Sequence, residues 1–237
     1  MSIENRVAII TGATGHLGSV TARRLADEGA RLALFSTSTE RLEKLVSDLG
    51  LPSDRYLTGA FDFTQHGAAQ AAAAVVIEKY GRADILLNLV GGWTGGKSVV
   101  DSPEEDMSGM LNQHLWTTFY LAQAFVPHLV ANRWGRIVVV SSPYATNPSA
   151  NGAPYAAAKA AQEALVLGLA REVVGAGVTA NVLQVRSIDA NHERDRERTS
   201  KNASWTTPEE IAAAIMYLCS EDARVVNGAR IPLYGGG

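Results

Sequence analysis

In the segment PYAAAK, Tyr155 and Lys159 are spaced for acid–base chemistry. Positions i and i+4 of a helix share a face, so a phenol and an ammonium would stand one turn apart. Pro154 suits a first helical turn, where its missing N–H has no partner in any case, and the alanines are strong helix formers. Ala156, Ala157 and Ala158 add no bulk that would keep a large ligand off that face. A phenol has an ordinary pKa of about 10, too high for an efficient base near neutrality. A neighbouring ammonium favours the phenolate, so the spacing predicts a lowered Tyr155 pKa. The same pattern also describes a plain surface Tyr/Lys pair, so the rest of the chain has to decide.

A second signal is TGATGHLG, running from Thr11 to Gly18 after an apolar run and ahead of a helical one. Gly12 permits the tight turn, Gly15 a close backbone approach, and Gly18 close packing of the helix on the sheet. Together they offer N–H groups and a helix N-terminus to a pyrophosphate. A tight strand-to-helix turn also favours glycine, but the place right after the first strand supports a dinucleotide site. An acid that would hold the adenosine ribose is expected about 20 residues on. That stretch reads FSTSTER and carries no Asp or Glu at Ser36, Thr37 or Ser38. Three hydroxyls with Arg41 nearby suit a 2′-phosphate, which a carboxylate would repel, so NADP(H) is expected over NAD(H). Alternatively, these residues simply cap a helix that begins near Thr39.

These residues need a scaffold that brings them together. Short β-type runs (Arg6–Ile10, Arg31–Phe35, Arg55–Ala60, Ile85–Val90, Arg136–Ser141, Val178–Val185, Arg230–Leu233) alternate with helical stretches near 15–28, 39–49, 66–80, 103–131, 154–175 and 208–220. This alternation predicts βαβ units in a doubly wound parallel α/β sheet. Residues 1–237 are read as one domain. Ligands of such sheets bind beyond the carboxyl ends of the strands. The post-strand positions here, from Thr11–Gly18 to Val185–Asp189, are rich in Gly, Ser, Thr, Asn and Asp.

Composition limits the remaining choices. The chain is 46% hydrophobic and 19% charged with a net charge of −3, which is globular and lacks the basic stripe of a nucleic-acid binder. The lone Cys219 leaves no disulfide framework and suits a reducing compartment such as the cytoplasm. The polar MSIENR runs directly into VAII, so no signal peptide is expected, nor is a membrane span. The five histidines have no metal-ligand spacing, and no metal is expected.

The ordered pieces TGATGHLG, FDFTQ, DILLNLVGG, MLNQHLWTTFYLAQAFVPHL, GRIVVVSS and PYAAAK resemble the short-chain dehydrogenase/reductase family over essentially the whole chain. The resemblance implies a Rossmann-type fold of seven strands and a nicotinamide-dependent reaction on a carbonyl or secondary alcohol of a small molecule. A Ser 13 residues before the active Tyr selects Ser142 over Ser141. Tyr155 would carry the proton, Lys159 would tune it and bind the nicotinamide ribose, and Ser142 would hold the substrate oxygen. Asn112 matches the family's helix Asn, which would anchor a water linking Lys159 to solvent. Asp62 matches the adenine-side Asp and Asn88 the first Asn of the Asn-Asn-Ala-Gly segment. Thr14, Leu17, Phe63, Gly91 and Ile188 are assigned to the cofactor with them. The sequence departs from the family in three places. The glycine spacing resembles the longer subgroup, with His16 where the shorter one has Gly; Leu89–Val90 alters the Asn-Asn-Ala-Gly segment; and Val185–Arg186 replaces Pro-Gly.

Trp93, Tyr144, Arg186 and Trp205 fall in segments expected around the pocket mouth, where aromatics also serve packing. The charge-dense NHERDRERTSK, residues 191–201, reads as a solvated, mobile lid. A homotetramer is expected, because the family pairs its long helices across two-fold axes and the terminal IPLYGGG is apolar enough to join in. A catalytically idle NADP-binding regulator is the competing reading. The complete Ser142/Tyr155/Lys159/Asn112 set argues against it, and the lost Pro-Gly argues for it.

Overall fold

In the computed structural model, which describes residues 3–234, the apolar runs pair into one parallel sheet ordered β3-β2-β1-β4-β5-β6-β7. The strands are β1 (Val7–Thr11), β2 (Arg31–Ser36), β3 (Tyr56–Ala60), β4 (Ile85–Asn88), β5 (Gly135–Ser141), β6 (Val178–Val185) and β7 (Arg230–Leu233). The helices are α1 (His16–Asp27), α2 (Thr39–Leu49), α3 (Ala68–Tyr80), α4 (Glu104–Leu111), α5 (Thr117–Ala131), α6 (Ala153–Glu172), α7 (Glu193–Arg196) and α8 (Pro208–Cys219). The Gly-rich end of the proposed C-terminal interface segment, residues 235–237, lies outside the described residues.

Side-chain alternation along β1 shows why both faces are covered. Ala8 and Ile10 enter a core with Leu25 of α1, Leu42 of α2 and Ile211 and Ile215 of α8. Val7 and Ile9 enter the opposite core with Val76 of α3, Phe125 of α5 and Val166 of α6. Each such fully buried Val, Leu, Ile or Phe side chain contributes about 1.5–3 kcal/mol relative to exposure. At the last helix, Thr207 and Glu210 form a reciprocal capping box, with Pro208 at the first position.

The helix expected over 103–131 is interrupted. Between α4 and α5 lies a π-helical turn, Asn112–Trp116. The Thr117 hydroxyl donates to the Asn112 and Gln113 carbonyls, and that of Thr118 to the His114 carbonyl at 2.6 Å. These bonds satisfy groups that the widened turn displaces from the ordinary ladder. Among the described residues no helix is long and apolar enough to cross a membrane.

The strand order reverses at β1, which pairs with β2 on one side and β4 on the other. Thr11 sits opposite both Phe35 and Asn88. Connections leave this point toward opposite faces and open a crevice at the carboxyl edge.

Candidate active site

The glycine turn forms the floor of that crevice. Gly12 has φ +68°, and an added Cβ there would lie 3.0 Å from the Leu89 backbone. At Gly18 a Cβ would lie 2.3 Å from the Gly12 carbonyl oxygen, so only glycine lets α1 start this close to the loop. Gly15 caps α1 with no side-chain hydrogen bond, and Gly15 and His16 are exposed. The first N–H groups of α1 are therefore open to an anion, which fits a dinucleotide diphosphate.

Two cavities meet here, sharing Gly12, Gly15, Leu89, Val90 and Gly91. One, of about 320 Å³, runs past Thr14, Ser36, Thr37, Arg41, Asp62 and Phe63. The other, of about 410 Å³, runs past Leu17, Trp93, His114, Tyr155, Lys159, Arg186 and Ile188. Together they make one cleft, with Tyr155 and Lys159 at its far end.

The far end holds buried polar groups. Lys159 is 3% exposed. It donates to the Val140 carbonyl at 2.7 Å and to Gln162 Oε1 at 3.0 Å. Burial pushes its pKa down to about 7, against the raising influence of Glu163. Burial also raises the Tyr155 pKa, opposed by a hydrogen bond from Ser142 and reinforced by Tyr144. The Tyr155 pKa is thus raised rather than lowered as expected. Both groups lose hydration, which disfavours the charged form of each. Ser142, fully buried, accepts the Tyr144 N–H at 3.3 Å, which leaves its own O–H to donate.

Several expected residues sit elsewhere. Asn112 is exposed at the start of the π turn and lines neither cavity. The widened turn instead carries His114 into the cleft. Asn88 also lines neither cavity. Its side chain accepts from Thr11 Oγ1 at 2.8 Å and donates to Thr118 Oγ1 at 2.9 Å. Gln162 Nε2 reaches the same hydroxyl at 2.9 Å, so a buried chain of hydrogen bonds joins the glycine turn to Lys159. Ser38 is the N-cap of α2, accepting the Arg41 N–H at 3.3 Å, and is spent on the helix as the alternative reading held. Ser36 pairs with the Thr14 hydroxyl at 2.7 Å. Asp62 lines the cleft while also accepting the Thr64 N–H at 3.0 Å. Thr64 lowers its carboxyl pKa, against burial.

Of the four pocket-mouth residues, Trp93 and Arg186 line the cleft. Tyr144 lies beside Ser142 but does not line it. Trp205 faces a different groove, with the Lys201 ammonium 5.9 Å over its ring. The charged segment 191–201 is tied down rather than loose. Asp189 accepts the N–H groups of Glu193 and Arg194 at 2.8 and 2.9 Å. The Arg194 guanidinium donates to the Trp205 carbonyl and to Glu210, both at 2.6 Å.

Sequence reasoning missed His114. It is fully buried, its Nε2 lies 3.1 Å from the Gly92 carbonyl, and its ring meets that of Tyr155 edge-on at 5.5 Å. The signal was periodicity. Met110, His114, Thr118, Leu121 and Phe125 follow the three-and-four spacing of a buried stripe, all of them buried, and Asn112 is off it. Ser141 was also passed over; it lines the cleft, and its buried hydroxyl has no hydrogen-bond partner among the described residues.

A glycine turn at the switch point of a parallel sheet, with a Tyr/Lys pair at the end of the cleft, defines a dinucleotide-binding protein with acid–base groups. The model of the short chain dehydrogenase family matches residues 6–201, and the chain belongs to the short-chain dehydrogenase/reductase family. Over 244 residues it is 30% identical to 3-oxoacyl-(acyl-carrier-protein) reductase FabG of Vibrio cholerae, covering all of this chain and 98% of the relative. It is 31% identical to meso-2,3-butanediol dehydrogenase of Serratia marcescens, covering all of this chain and 96% of the relative. The NADPH-bound short chain oxidoreductase of Pseudomonas aeruginosa PAO1, described as containing an atypical catalytic center, superposes with a TM-score of 0.87 at 25% identity, over 98% of each chain. The protein is a nicotinamide-dependent oxidoreductase, and the idle reading finds no support among these relatives.

Proposed function

We propose that the protein reduces a small-molecule carbonyl, or oxidises the corresponding secondary alcohol, with Tyr155 as proton donor or acceptor. The observation that carries this reading is one cleft that runs from the glycine turn to Tyr155 and Lys159, with the buried Ser142 beside Tyr155. A bound nicotinamide supplies or takes the hydride. Ser142, whose hydroxyl bonds to Tyr155, is assigned to hold the substrate oxygen. Tyr155 keeps its proton at neutral pH, because burial raises its pKa, and gives it to that oxygen in the reduction direction. Lys159 is the ribose-side contact, held by Val140 and Gln162. The relatives named for a 3-oxoacyl group and for a 2,3-butanediol support a ketone or secondary alcohol as the reacting centre.

NADP(H) is the preferred cofactor in this reading. Thr37 and Arg41 are exposed on the cleft wall with no carboxylate among residues 36–38. Trp93 and Arg186 flank the substrate end. We read the chain as one domain and the protein as a cytoplasmic homotetramer. Trp116, 42% exposed and stacked on Tyr120, is a candidate contact of that assembly. Light scattering showing only monomer at micromolar concentrations counts against it.

The test is a panel of carbonyl compounds with NADPH, followed by the loss of reduced-nicotinamide absorbance. Tyr155→Phe keeps the ring and removes the hydroxyl, so turnover falls by about 10²–10⁴-fold while NADPH binding persists. Near-full activity of that variant on a verified substrate overturns the reading.

A further inference from the structure

We propose that the substrate carries a carboxylate, and that the Arg186 guanidinium pairs with it while the carbonyl or secondary alcohol reacts. The inference rests on the carbonyl-reducing function given above and adds the class of compound that the cleft takes.

The sheet places Arg186 for this task. β6 ends at the buried Val185, and Arg186 is the first residue beyond it, exposed and on the cleft wall. β6 pairs with β5, so the chain at Arg186 is one strand, about 5 Å, from the strand that leads into Ser142. The end of β1, where the glycine turn begins, is three strands away, about 14 Å. The guanidinium therefore serves the reacting end of the cleft, whereas the diphosphate end has the N–H groups of α1. The backbone behind Arg186 is held as well. The Ser187 carbonyl accepts the Thr206 N–H at 3.0 Å, and the Asp189 N–H donates to the Thr206 carbonyl at 2.9 Å.

No group of the fold answers the charge of Arg186. Among the described residues its side chain makes no hydrogen bond and no ion pair, and no Asp or Glu lines this cavity. Asp189, three residues along the chain, is buried, and its two oxygens accept the N–H groups of Glu193 and Arg194. The Lys159 ammonium is already engaged by the Val140 carbonyl and Gln162. His114 stays neutral, because burial and then Lys159 push its pKa down to about 3.

A guanidinium keeps its charge at every working pH and presents paired N–H groups in the geometry of a carboxylate. A neutral ketone leaves that charge to water. A keto acid pairs with it, and the pairing fixes which carbonyl meets Tyr155. Trp93, 62% exposed on the same wall, offers a flat apolar face to the carbons between the two groups. Arg186 exchanges neither hydride nor proton.

The test compares 2-oxobutanoate, 3-oxobutanoate and 4-oxopentanoate with their methyl esters, using NADPH. At least one acid is expected to exceed its ester in kcat/KM. Arg186→Gln should lower that acid-to-ester ratio by about 10- to 100-fold, the worth of a charge-assisted pair, chiefly through KM. Arg186→Lys should keep part of the preference, and added salt should weaken it in the wild type. Esters turned over as well as acids, or an acid preference that Arg186→Gln leaves intact, overturn the proposal. An equal loss of NADPH affinity in Arg186→Gln, measured by titration calorimetry, assigns the guanidinium to the cofactor and also overturns it. Binding to the wild-type complex with NADP⁺ needs no turnover. Hexanoate should bind at least about tenfold tighter than hexanamide, and equal affinities refute the proposal. Turnover lost in Tyr155→Phe, with acids and esters equal in the wild type, sinks this inference and leaves the function standing. Near-full turnover in Tyr155→Phe with the acid preference intact removes Tyr155 as proton donor and leaves the carboxylate pairing standing.

Discussion

Lys159 ties the stability of this protein to pH in a direction opposite to that of most lysines. Lys159 is 3% exposed, and burial takes its pKa from 10.5 to about 7. Below about pH 7 the folded and unfolded chains both hold the proton, and the folded state bears the full cost of a buried cation. Between about 7 and 10.5 only the unfolded chain holds it, so stability rises with pH. Integrating the two titrations from pH 7 to 9 gives a gain of about 2 kcal/mol from this group. Lys159→Met removes the titration while keeping most of the side-chain volume. Urea unfolding of both proteins at pH 7, 8 and 9 measures the effect as the difference between them, which cancels the contributions of other groups. The wild-type curve is expected to climb relative to the variant by that amount. Parallel curves mean that Lys159 keeps an ordinary pKa in the folded chain, and the account of a desolvated ammonium held by Val140 and Gln162 is then wrong.

Other outcomes follow from the same geometry. Thr37→Asp should reverse the cofactor preference from NADPH to NADH by at least about tenfold, because a carboxylate within reach of a phosphate costs about 1–4 kcal/mol; titration calorimetry with both cofactors decides. Gly18→Ala places a Cβ 2.3 Å from the Gly12 oxygen and 2.8 Å from Ala13 backbone atoms, so the loop must shift. The expected loss is about 1–3 kcal/mol of stability with dinucleotide affinity, and an unchanged Tm with intact binding contradicts it. Asp189→Ala removes the acceptor that ties down Glu193 and Arg194, so trypsin should cut the 191–201 segment faster than in the wild type. Equal cleavage rates show that the carboxylate does not organise that segment.

The scaffold was legible because its signals are local. Strand and helix runs, the capping Thr207–Glu210 pair and the glycine turn each depend on residues within a few positions of one another, and the structure places them within a few residues of expectation. The Tyr155–Lys159 pair was legible for the same reason, since i,i+4 neighbours on one helix need no other element to meet. Asn112 lies exposed outside the cleft, because its assignment rested on residue type, whereas burial is set by helical phase. Ser38 and Asn88 make hydrogen bonds within the protein, and a hydroxyl or amide looks the same in sequence whether its partner is a ligand or the protein itself.

The sequence by itself determined the doubly wound sheet, the crevice at its switch point, and the dinucleotide turn, all of which follow from periodicity and backbone sterics. The tertiary structure alone decided the state of the chemistry. Only packing removes water from Tyr155 and Lys159 and so raises one pKa and lowers the other. Only the meeting of α4, α5 and α6 at the carboxyl edge puts His114, far from Tyr155 in the chain, against its ring. Desolvation and long-range contact depend on which distant residues close over a group, and no short stretch of sequence carries that information.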